Sequence, residues 1–111
     1  MYTIKGSSIT LTKGDTFVAQ VEAYQNGELY VPQEGDVVRF AMKRNLADEQ
    51  CLIYKNIPID TMLLRIESND TKDIKTNPYD NSFWYDIQIT FANGDVDTFI
   101  AGVLTLVEEV E

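Results

Sequence analysis

The sequence predicts an all-β fold, an antiparallel β-sandwich of about seven to nine strands with one short helical turn near residues 70–75. Three observations carry this. Strand-like runs recur roughly every 8–12 residues, the spacing of a sandwich or barrel. Most of these runs alternate apolar with polar residues, which gives each one apolar face. Turn chemistry built on Gly, Asn, Asp and Pro separates them. The 111 residues, 44% of them hydrophobic, fit a single domain spanning 1–111 that can bury a core without covalent staples.

The elements follow in order. Ile9 and Leu11 alternate with hydroxyl residues, and Lys13, Gly14 and Asp15 then turn the chain. Phe17, Ala19, Val21 and Ala23 alternate with Val18, Gln20, Glu22 and Tyr24, which predicts one long strand. Asn26 and Gly27 predict a tight hairpin, because both tolerate positive φ. A short return strand at 29–31 ends at Pro32, which has no N–H to donate. After a turn at 34–36, Val38, Phe40 and Met42 alternate with Val37, Arg39, Ala41 and Lys43. Residues 45–50 read as a polar loop, and 52–57 and 62–67 as two strands joined across Pro58.

Residues 70–75 are the helical piece, with Asp70 as its cap, Lys72 and Asp73 outward and Ile74 inward. Such a piece is too short to be stable alone. A turn cluster at 77–81 leads into the clearest strand, 83–91. There Phe83, Tyr85, Ile87, Ile89 and Phe91 share one face, and Trp84, Asp86, Gln88 and Thr90 the other. Asn93 and Gly94 give a second hairpin signal. The last strand runs over 96–107, with Gly102 expected at a bulge or bend. The acidic tail 108–111 is expected to fray. The pattern Ile9-Thr10-Leu11-x-x-Gly14-Asp15 recurs as Ile89-Thr90-Phe91-x-x-Gly94-Asp95. Two similar strand-to-turn units account for so short a match better than a duplication does.

Composition narrows the function. A net charge of −9 opposes binding to nucleic acid, whose phosphates need Lys and Arg patches, and to anionic membrane surfaces. No apolar stretch approaches the ~20 residues of a membrane helix, and the first residues lack the apolar core of a signal peptide. Cys51 is the one cysteine, so no intramolecular disulfide forms; beside Leu52 and Ile53 it reads as a small, half-buried hydrophobe. The sequence has no histidine, the commonest general base, nucleophile activator and zinc ligand, and it has no Gly-rich phosphate loop. The expectation is a non-catalytic protein without cofactor. Asp15, Asp36, Asp95 and Asp97 stand in or beside glycine-containing turns, where Asp bonds to backbone, rather than as a paired catalytic set. Calcium is the one metal the acidic loops suggest, through Asp95 and Asp97.

Trp84 is the most informative residue. Alternation sets it opposite the apolar face of its strand, beside Asp86 and Gln88, where a local loop or another subunit covers it or it simply stands at the surface. Trp84, Asp86 and Gln88 are therefore the candidate interface. Six tyrosines also suit a carbohydrate platform, although tyrosine is simply a favoured strand residue.

The stretch ITLTKGDTFVAQVEAYQNGELYVPQEGDVVRFAMKR, residues 9–44, resembles the opening of small prophage-encoded proteins of Gram-positive bacteria. These are similar to the N-terminal domain of the phage baseplate upper protein family and to immunoglobulin-like tail modules. The second half continues the likeness through Asp70-Thr71, Trp84-Tyr85-Asp86-Ile87, Asn93-Gly94-Asp95 and Thr98-Phe99. The resemblance implies an immunoglobulin-like sandwich and a structural role in a tail or baseplate. Its partners would be other particle proteins or further copies of itself. It would be assembled in the bacterial host cytoplasm and then carried in the virion. The alternative is a carbohydrate- or cell-surface-binding module.

Overall fold

Alternating sequence becomes a two-sided sheet. A computed structural model describes residues 2–5 and 7–108. Along them run β1 (Tyr2–Lys5), β2 (Ser8–Thr12), β3 (Phe17–Gln20), β4 (Ala23–Gln25), β5 (Glu28–Tyr30), β6 (Val37–Lys43), β7 (Ile53–Ile57), β8 (Leu63–Ile66), the helical turn α1 (Ser68–Thr71), β9 (Ser82–Thr90) and β10 (Val96–Val107). The fold is all-β and sandwich-like, as the periodicity predicts. Six strands form the main sheet in the order β1-β2-β10-β9-β6-β7, while β3 pairs with β8 and β4 with β5.

Each strand of the main sheet turns its apolar series inward. Ile9 and Leu11, Val38, Phe40 and Met42, Phe83, Tyr85, Ile87 and Ile89, and Leu104 and Leu106 are buried. They meet Phe17, Val21, Leu64 and Ile66 from the other layer in one core. Phe40 and Tyr85 stack there with ring centroids 5.4 Å apart. Each fully buried side chain of this size contributes about 1.5–3 kcal/mol of transfer free energy, so the interior alternation holds the layers together.

Several expectations are corrected. The predicted strand from Phe17 to Tyr24 keeps its inward series but breaks in two. Val21 N–H donates to Met62 O at 2.8 Å, extending the β3–β8 ladder, and the chain then leaves to pair as β4 with β5. That split, together with β1, makes ten strands among the described residues instead of about seven to nine. One main-sheet pairing is parallel: β10 lies beside β2, with Leu104 opposite Ile9. The helical turn starts earlier than predicted, at Ser68. Glu67 is its N-cap, and Asp70 is the third helical residue, accepting the Glu67 N–H at 2.7 Å. Thr71, rather than Ile74 alone, points inward: it is fully buried and accepts the Gly14 N–H at 2.9 Å. Phe91 falls just beyond β9, where it meets the edge of Tyr30. Of the tail, residues 109–111 lie outside the described residues; Glu108 accepts a hydrogen bond from the Thr76 hydroxyl at 2.5 Å.

Gly102 is not a bulge. The register shift in β10 falls between Thr98 and Ile100, and Gly102 stands in regular register with Tyr85. Its role is close approach: a Cβ there would lie 2.2 Å from the Ser7 carbonyl oxygen. The Tyr85 hydroxyl donates to that same oxygen at 2.5 Å, pinning the β1–β2 turn over the core. The turn predictions hold. Asn26 and Gly27 adopt φ of 54° and 81°, as a two-residue turn of the primed type requires. Asp36 is buried and ties its own turn to the β9–β10 hairpin. It accepts from Tyr30 Oη at 2.5 Å, Gln33 N at 2.9 Å and Ala92 N at 3.1 Å.

Candidate functional site

The outer face of the main sheet carries the polar alternates, and its register brings residues of four strands together. Trp84 lies between Val103 of β10 and Lys43 of β6, and Asp86 between Ala101 and Ala41. Gln88 stands opposite Arg39. On the far side of β6, Tyr54 of β7 pairs with Ala41. Directly opposed residues on a sheet face have Cβ atoms about 4.5–5.5 Å apart, so these side chains form one continuous surface.

The surface is concave. Ala41 and Ala101 flank Asp86 and leave a low floor. Trp84 rises on one side and Tyr54 on the other, and Leu46 and Cys51 approach from the β6–β7 loop. The groove is open to solvent and measures about 650 Å³. Its apolar rim is well exposed, with Trp84 at 48%, Tyr54 at 59% and Leu46 at 70%. The loop at 45–50 therefore lies beside the tryptophan without covering it. Cys51 is half-buried, as read from the sequence.

Charge in the groove is arranged asymmetrically. Arg39 Nη1 lies 2.5 Å from Asp86 Oδ1, and its guanidinium carbon stands 5.9 Å from the centre of the Tyr54 ring. Arg39 is thus held between a carboxylate and an aromatic face, and the Asp86 charge is balanced. Asp86 sits in the floor of the groove, and Gln88 lies beyond its lining. Of the candidate interface, the structure brings Trp84 and Asp86 into one concavity and leaves Gln88 beside it.

Sequence reading missed Arg39, Lys43, Tyr54 and Leu46. The alternation of β6 carried a signal for the first two, since Arg39, Ala41 and Lys43 must oppose Val38, Phe40 and Met42. That β6 neighbours β9, and β7 neighbours β6, depends on long-range pairing that a local pattern does not encode. The calcium expectation finds little geometric support. Asp95 is bonded within its own hairpin, its Oδ2 3.3 Å from Asn93 Nδ2, and Asp97 lies within β10. Among the described residues, no three His, Cys, Asp or Glu side chains converge as metal ligands would. Among them also, no helix is long and apolar enough to cross a membrane.

No protein-family model matches the chain, and no curated protein sequence matches it.

Proposed function

We propose that the chain is a non-catalytic structural protein of a phage or prophage particle, associated with its tail or baseplate and working through protein–protein contacts. The observation that carries this reading is the exposed Trp84–Tyr54 groove on the outer sheet face. Isolated apolar residues on a surface are ordinary, but a tryptophan, a tyrosine and an arginine around one concavity have the composition of an interface centre. The resemblance in sequence supplies the particle, its assembly in the bacterial host cytoplasm and its place in the virion.

The test is size-exclusion chromatography with light scattering, on the protein alone and mixed with the products of neighbouring genes. The expected outcome is a complex or oligomer that Trp84→Ala disrupts while its circular dichroism stays native. A strict monomer that binds none of those products overturns the reading. A second reading is favoured by the same aromatics: Trp84 and Tyr54 flanking the polar Arg39–Asp86 pair suit a saccharide. Glycan-array binding lost in Tyr54→Ala would establish it, and a flat array would remove it.

A further inference from the structure

Acid outnumbers base two to one in this chain, with 18 Asp and Glu against 9 Lys and Arg. A basic side chain here has abundant carboxylates within reach. Most of the described ones have taken one: Lys13 with Glu108, Arg39 with Asp86, Arg44 with Asp80, Lys55 with Asp70 and Arg65 with Glu67. Among the described side chains, Lys43, Lys72 and Lys75 are in no ion pair. Lys72 and Lys75 are exposed, where water solvates them; Lys43 is half-buried, in register with Trp84 in the groove wall. Among the described residues that line the groove, the one carboxylate, Asp86, is already matched by Arg39. The lining of the groove, Arg39 and Lys43 against Asp86, is therefore net cationic beneath an aromatic rim, although Asp48 and Glu49 stand in the adjoining loop.

We infer that this groove receives an extended acidic segment of a partner protein, with a carboxylate placed on Lys43 and an apolar side chain laid between Trp84 and Tyr54. This deepens the protein-contact reading above and rests on it. Charge complementarity sets the occupant. A basic segment would place like charge against Lys43 and Arg39, and a purely apolar one would leave the Lys43 charge without a counter-charge.

The single tryptophan of the chain lies in the groove, so emission excited at wavelengths where tyrosine does not absorb reads this surface alone. The probes are the capped peptide Glu-Leu-Glu-Phe-Glu, its Lys-Leu-Lys-Phe-Lys counterpart and the neutral sugar maltohexaose. The expected result is a saturable change in Trp84 emission with the acidic peptide alone. That affinity should fall with added salt and drop by about tenfold in Lys43→Glu. Tyr54→Ala, at an exposed position, should weaken it too, with native circular dichroism in both variants. Equal response to the basic peptide or the sugar, no response to any probe, or unchanged affinity in Lys43→Glu overturns the inference. If the inference fails while Trp84→Ala still disrupts a complex in the chromatographic test, the protein-contact reading stands and only the occupant is wrong.

Discussion

Asp36 shows how much one buried carboxylate can organise. The Tyr30 hydroxyl, then the Gln33 and Ala92 N–H groups, favour its charged form and hold its pKa below the ordinary value against the opposing effect of burial. A depressed folded-state pKa means that this contribution is fully present above the unfolded value and is lost as pH falls through the folded one. The unfolding midpoint should therefore drop on acidification below about pH 4, and Asp36→Asn should be less stable at neutral pH with a flatter acid limb, measured by thermal melts across pH. Tyr30 is raised by the same bond, so its share is lost at the alkaline end, as pH rises through its folded pKa. Gly102 is the other decisive position. A Cβ would meet backbone, the Ser7 carbonyl oxygen, which has no soft side chain to yield. Gly102→Ala should cost about 1–3 kcal/mol in denaturant unfolding, the usual range for overpacking. A glycine in a strand announces a special position, but the sequence suggested a bulge because the β1–β2 turn that crowds it lies some 95 residues away along the chain.

Elements were legible where their cause was local. The hairpin at Asn26 and Gly27 and the strands at β2, β6 and β9 follow from turn chemistry and alternation, and the structure places them where those patterns do. The run from Phe17 to Tyr24 misled because alternation reports which way side chains point and says nothing of which neighbour a strand adopts; its two halves joined different partners without a break in pattern. The helical turn misled by a short shift, because Asp70 serves equally well as a cap or as a third helical residue reaching back to one. Here Asp70 reaches back to the Glu67 N–H and also pairs with Lys55 at 2.8 Å. Asp70→Ala should lose about 1 kcal/mol, read from the urea midpoint, while Asp73→Ala, exposed outside the helical turn, should change little.

For the whole molecule, the face assignment of β9 decides both stability and the candidate site. Phe83 and Trp84 are adjacent in sequence and opposite in environment: the first is buried in the core, the second stands in the groove. Phe83→Ala should cost about 3–5 kcal/mol, whereas Trp84→Ala should stay within about 1 kcal/mol of the parent by chemical denaturation. The candidate interface was half-legible for this reason. Strand alternation exposed Trp84, but the concavity needs Ala41, Tyr54 and the β6–β7 loop, which only the assembled sheet brings alongside. The position of β10 carries a separate consequence. It is the last described strand in chain order, yet it lies third in the sheet, bridging β2 and β9. During synthesis, β1 and β2 leave the ribosome before the rest of the sheet and lack their β10 neighbour, while β9 offers a bare edge, until 96–107 arrive to join them. The main sheet is therefore incomplete until the last described strand is in place, and a nascent chain stalled before Val96 would expose an unpaired, aggregation-prone edge.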